Sequence, residues 1–132
     1  MDEKIKFWQH QLKKTTEDFQ AIVSLCEKDE LFLRPSAEAW SIADILQHLI
    51  QITQSYYPVV KSIRDGSYKP GWIGKRTFVT RFFGNLILQS TVPQNKRKSK
   101  TMEPWIPVQG EKNTHIVEEY LAERNHFISF MA

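Results

Sequence analysis

EAWSIADILQHLIQITQSYY, residues 38–57, sets one histidine, His48, among isoleucines and leucines at helical spacing. The start of this helix is marked. Ser41 is followed three residues later by Asp44, a hydroxyl to cap free backbone N–H groups and a carboxylate to reach back to the entering chain. Ile42, Ile45, Leu49, Ile52, Tyr56, Val59 and Ile63 then recur at intervals of three and four or their sums, which predicts an amphipathic helix whose stripe faces a core. Pro58 falls inside that period, lacks a backbone donor, and is expected to kink the helix or end it early. Asp65 and Gly66 close it in any case.

On the N-terminal side, Ile5, Trp8, Leu12, Phe19, Ile22, Val23 and Cys26 repeat with the same period over residues 2–27, and Thr15 and Thr16 fill the one gap in the stripe. KDELFLRPSAEAW breaks the period and Pro35 pushes Arg34 out of helical geometry, so a loop joins the two helices. On the C-terminal side, RTFVTRFFGNLILQ, residues 76–89, pairs Phe78/Val79, Phe82/Phe83 and Leu86/Ile87 at four-residue spacing and predicts a short apolar helix. Thr91 to Asn113 holds Pro93, Pro104 and Pro107 with no period and reads as a crossover loop. Asn113 or Thr114 then caps a last helix with the stripe Ile116, Val117, Tyr120, Leu121, Arg124, Phe127, Ile128 and Met131.

No strand-like alternation survives, so the expected architecture is all-α, an up-and-down bundle of three long helices and one short one. FISFMA, residues 127–132, stops in mid-stripe without Gly, Asn or Pro, and three long amphipathic helices leave a four-helix core incomplete. The expectation is one bundle domain over residues 1–132, cut short at its C-terminus, with an unfilled apolar groove that makes the chain a homodimer.

Apolar residues at 41% and charged residues at 25% fit an ordinary globular domain and exclude a chain disordered throughout. Charges interrupt MDEKIKFWQHQLKK where a signal peptide needs an apolar run, and no stretch of about 18 apolar residues exists to span a bilayer. Cys26 stands alone and cannot form an internal disulfide. These features predict a cytoplasmic protein with no membrane partner. The net charge is +3, and NKRKSK gathers Lys96, Arg97, Lys98 and Lys100. No aromatic residue interleaves with these bases, so a solvated loop is the favoured reading over a nucleic-acid surface.

At about 100° per residue, His48 falls beside Leu49 and one turn from Ile45 and Ile52, on the predicted interior side. His10, His115 and His126 fall on faces opposite their stripes. His115 and His126 stand roughly 16 Å apart along one helix and cannot chelate together. A zinc or nickel site needs about three protein ligands around one ion, so geometry leaves His48 with two readings: a core residue with one hydrogen-bond partner, or one ligand of an incomplete set. Cys26, on the first stripe, reads as a buried inert thiol, Trp40 as a staple over the start of the second helix, and the loop residues Trp72 and Trp105 as pocket lining or lids. No phosphate-binding Gly-rich loop or Ser-His-Asp signature is present, and catalytic residues are not assignable.

The string RPSAEAWSIADILQHLIQITQSYY resembles the DinB-like (DinB/YfiT) superfamily of bacterial helical-bundle proteins, in which a Trp-Ser pair opens the second helix and a His-Leu follows seven residues after the Ser. Trp40, Ser41, His48 and Leu49 match that pattern, and TVPQNKRKSKTMEPWIP is similar to the crossover before the family's last helix. The resemblance implies a divalent metal, zinc, nickel or iron, held by three histidines, one on the second helix and two four residues apart on a final helix. His48 matches the first; no H-x-x-x-H matches the others. It also implies a metal-dependent transferase using low-molecular-weight thiols, or a hydrolase, acting on a small molecule. For these 132 residues the expectation is His48 as the one metal-ligand candidate, no complete metal site and no bound cofactor. The alternative is a non-catalytic binding or dimerisation module of the same fold.

Overall fold

The computed structural model describes residues 3–69, 85, 101, 103–107 and 112–131. They form three α-helices, α1 (Glu3–Val23), α2 (Ile42–Arg64) and α3 (Ile116–Phe130), with single 3-10 turns at Glu30–Phe32 and Glu103–Trp105. The all-α expectation holds, with no strand among the described residues. The short helix expected at 76–89 lies outside the described residues, apart from position 85, which is helical. Trp72 and the bases Lys96 to Lys100 also lie outside them. Two compact units are distinguished, residues 1–56 with 103–132, and residues 57–102.

In the first unit, Ala43, Leu46 and Ile50 of α2 meet Ile116 and Tyr120 of α3, with Phe19, Phe32, Val117 and Leu121 packed around them. Leu46 and Ile116 are enclosed at 1% and 2% exposure. Burying such a side chain contributes about 1.5–3 kcal/mol. Leu31, in the turn after α1, is also buried, and its neighbour Phe32 carries the loop onto this core.

The buried stripe of α2 is not the expected one. Ala43, Leu46 and Ile50 are buried, whereas Ile45, Leu49 and Tyr56 are 44%, 37% and 49% exposed. The helix is rotated so that Ala43, Leu46 and Ile50 face the core while a second apolar face points outward. Periodicity reports that a helix has an apolar face; when it has two, the partner helices decide which is buried.

On α1 the stripe shifts less. Thr16 is buried, and Ile5, Gln9, Leu12, Phe19 and Val23 are half-buried, while Trp8 and Ile22 turn outward at 58% and 64% exposure. Three contacts set the direction of α3 against α1. Gln9 Nε2 donates to the Ile128 carbonyl at 3.0 Å, Arg124 donates to the Thr15 and Thr16 hydroxyls at 3.0 and 3.3 Å, and the Phe19 and Tyr120 rings meet edge-on at 4.9 Å. Rising numbers on one helix pair with falling numbers on the other, so α1 and α3 are antiparallel. The threonine gap in one stripe and the arginine in the other are the two halves of one contact.

The helix ends follow local chemistry. Asp44 N–H donates to Ser41 Oγ at 3.1 Å and Ser41 N–H donates to Asp44 Oδ2 at 2.9 Å, the predicted reciprocal cap. Before α3, Asn113 Oδ1 accepts the His115 N–H at 3.0 Å, while His115 itself takes the N-cap position without a side-chain cap. α1 stops at Val23, so Cys26 lies in the turn beyond it and not on a helical stripe.

In the second unit α2 continues through Pro58 to Arg64, so the early end expected there does not occur. Gly66 follows with φ +67°, a left-handed conformation that glycine adopts without steric cost, and its N–H reaches the Ile63 carbonyl at 3.2 Å.

Candidate functional site at His48

The capping box fixes the first turn of α2, and a second layer fixes the box. Arg34, which Pro35 keeps out of helical geometry, donates through Nε and a terminal nitrogen to both Asp44 oxygens at 2.9 and 3.0 Å. Burial works to raise the Asp44 pKa, but the Ser41 backbone N–H, the Arg34 hydrogen bond and charge, and the Ser41 side chain outweigh it and hold the carboxyl below its usual value. Trp40 therefore enters α2 at a fixed angle. It is half-buried over the start of the helix, where a staple was expected, and its ring packs on the His48 imidazole at 5.0 Å between centroids.

His48 lies on α2 nearly opposite the buried stripe, roughly 170° from its centre. Its cover comes from the Trp40 ring and from the turn at Glu103–Trp105, where the Trp105 carbonyl lies 2.5 Å from His48 Nδ1. The fully buried Pro107 anchors the chain just beyond that turn. A carbonyl only accepts, so Nδ1 carries the proton, and in the neutral imidazole Nε2 is left with its lone pair. The hydrogen-bond partner of His48 is a main-chain carbonyl. A backbone group carries no residue signature, so no sequence signal could have named it.

Asp44, His48, Gln51 and Ser55 form one polar stripe along α2 at four-, three- and four-residue steps. Asp44 oxygens are engaged by Arg34 and the Ser41 N–H. Ser55 donates to the Ile52 carbonyl. Gln51 Oε1 is buried and has no hydrogen-bond partner.

The other histidines stand elsewhere. His10 and His115 are exposed on α1 and just before α3, as expected. His126 is exposed too, its ring edge-on to Phe130, and borders a cleft of about 410 Å³ with Gln54, Glu119 and Glu123. Gln54 donates to Glu123 there at 3.1 Å. Cys26 is half-buried, with Sγ 3.7 Å from the Ile22 carbonyl. Among the described residues, which include all four histidines and the cysteine, no group of three or more His, Cys, Asp or Glu side chains is placed to hold a metal ion. A three-histidine metal does not fit this arrangement.

A family model described as the DinB superfamily matches residues 11–132. The chain belongs to the DinB superfamily. The match runs from the third turn of α1 through α3, so the DinB assignment rests on more than the Trp40-Ser41 to His48-Leu49 segment. Comparison with curated proteins and with solved structures gives no match. Within this DinB-superfamily chain, no helix among the described residues is long and apolar enough to cross a membrane.

Proposed function

We propose that this chain is a DinB bundle related to metal-dependent thiol transferases and hydrolases, in which His48 keeps the ligand position and the 132 residues do not complete a three-histidine site. The observation that carries the reading is the Trp105 carbonyl on Nδ1, the outer contact that a metal-binding imidazole uses to fix its tautomer and aim Nε2. In a complete site the metal would lower the pKa of a bound water or thiol and so supply a nucleophile. The setting that goes with this reading is the cytoplasm, and the substrate class a small molecule or low-molecular-weight thiol. The test is elemental analysis after dialysis. Zinc, nickel and iron are each expected well below one per chain, because a site with a single imidazole ligand releases its ion. About one ion per chain, lost in His48→Ala, overturns the claim of an incomplete site.

A second reading, a non-catalytic dimerisation module, is favoured by the outward face of Ile45, Leu49 and Tyr56. Contiguous exposed apolar surface of this kind marks an interface. Sedimentation velocity at tens of micromolar distinguishes the two, since a monomer there removes the ground for the module.

A further inference from the structure

A continuous chain of contacts runs from Arg34 to the imidazole of His48. Arg34 Nε donates to Asp44 Oδ2 at 2.9 Å and a terminal nitrogen donates to Oδ1 at 3.0 Å, so the guanidinium meets both carboxylate oxygens at once. The same Oδ2 accepts the Ser41 N–H at 2.9 Å. That N–H belongs to the peptide unit joining Trp40 to Ser41, and holding its plane leaves Trp40 little freedom beyond its own φ and side-chain torsions. Asp44 and His48 stand one turn apart on α2, so the carboxylate ties the Trp40 backbone to the helix that carries the imidazole. The Trp40 ring then lies on the His48 ring at 5.0 Å between centroids, with 56° between planes, and both residues are half-buried. With Nδ1 taken by the Trp105 carbonyl, Nε2 is the nitrogen left to meet a solute.

We propose that Arg34 is a positioning residue that governs access to His48: by holding Asp44 on the Trp40–Ser41 peptide it keeps the Trp40 ring against the imidazole, and loss of this clamp lets the ring swing away. The proposal rests on the reading of His48 as the site residue and needs no bound ion. Asp44 alone is a weaker holder. A lone carboxylate rotates and trades the Ser41 N–H for water, whereas a guanidinium on both oxygens fixes the carboxylate plane. The bridge is also partly shielded, with side-chain exposures of 36% for Arg34 and 16% for Asp44, which sets it apart from a freely solvated surface pair. Arg34 stands ten residues before Asp44, so the same bridge closes the loop that delivers Trp40 to the helix.

The test is the rate at which diethyl pyrocarbonate acylates each histidine of the full 132-residue protein at neutral pH, read residue by residue by peptide mass spectrometry. The reagent attacks an unprotonated imidazole nitrogen, and the exposed His10 and His115 serve as internal standards. Arg34→Gln is expected to raise the His48 rate about fivefold with His10 and His115 unchanged, since losing a charge-assisted pair raises the population of open states. Arg34→Lys keeps the charge but not the two-point grip, so its His48 rate is expected to lie nearer to that of Arg34→Gln than to that of the parent protein. It also covers the case in which Arg34→Gln does not fold. Trp40→Ala is expected to give the upper limit, and adding Arg34→Gln to it should change nothing further, because the arginine acts through the ring. A His48 rate in Arg34→Gln equal to the parent's overturns the proposal. So does a further rise in the double variant, or an equal rise at His10 and His115, which marks general loosening. These rates do not depend on metal content, so the elemental analysis that tests the ligand reading of His48 is decided separately.

Discussion

The Trp105 carbonyl accepts the Nδ1 proton of His48 across 57 positions of sequence, tying a turn in the long connection to the middle of α2. One hydrogen bond therefore sets the tautomer of the imidazole and holds the Glu103–Trp105 turn on α2. The ring ¹⁵N shifts of His48 should show a protonated Nδ1 and a bare Nε2 at pH 8, the reverse of the tautomer usual in free histidine. His48→Ala should cost on the order of 1–2 kcal/mol, since it strands a part-buried carbonyl and removes the face on which Trp40 packs. A bare Nδ1 in the spectrum contradicts the assignment.

Ser41→Ala should destabilise the protein by about 1 kcal/mol in urea unfolding. Ser41 is 4% exposed, and its hydroxyl and N–H both engage Asp44, so alanine leaves the Asp44 N–H without its cap. Ser41→Thr, which keeps the oxygen, should cost less. Equal losses in the two variants would point to packing as the cause.

Asp44 makes the stability of the chain sensitive to acid. Its carboxyl is held below the usual value, so the folded state favours the ionised form. That contribution is complete above the unfolded-state pKa near 3.9 and is lost as pH falls through the lower folded-state value. Asp44→Asn should therefore cost on the order of 1 kcal/mol at pH 7. The gap from the parent protein should narrow as unfolding is repeated at about pH 3. A gap of constant size across that range would show that the ionised form plays no part.

The two faces of α2 should respond very differently to truncation. Leu46→Ala removes an enclosed side chain and should cost about 2–5 kcal/mol. Ile45→Ala, at a position 44% exposed, should cost less than about 1 kcal/mol. Thermal melts of the two variants decide which face is buried, and the opposite order would restore the stripe expected from periodicity.

Leu49→Glu tests whether the outward face joins chains. Leu49 is 37% exposed between Ile45 and Tyr56, so a charge there should leave the melting temperature nearly unchanged while shifting any dimer to monomer in sedimentation velocity. A dimer that survives the substitution uses another surface.

Much of this fold was legible because its signals are local. Ser41 and Asp44 announce their cap in four residues, Gly66 announces the end of α2, and the stripe Ile116, Tyr120 and Ile128 of α3 is buried as read. The failures are tertiary. Ile45, Leu49 and Tyr56 outweigh Ala43, Leu46 and Ile50 in size, so periodicity favoured the wrong face, and only the positions of Phe19 and Tyr120 decide the matter. His48 drew attention as a neighbour of Leu49, yet its cover comes from Trp40 and a distant carbonyl. Pro58 was expected to kink α2 or end it early, and the helix runs six residues beyond it to Arg64.

The contacts of Gln9 and Arg124 have a consequence for motion. Two helices held by leucines alone can slip past one another by a turn at small cost, because one apolar ridge resembles the next. Gln9 on the Ile128 carbonyl and Arg124 on Thr15 and Thr16 permit one alignment, and a slip of a single turn breaks all three hydrogen bonds together. The first and last described helices are thus keyed in register, and neither can slide along the other without giving up every one of these polar contacts.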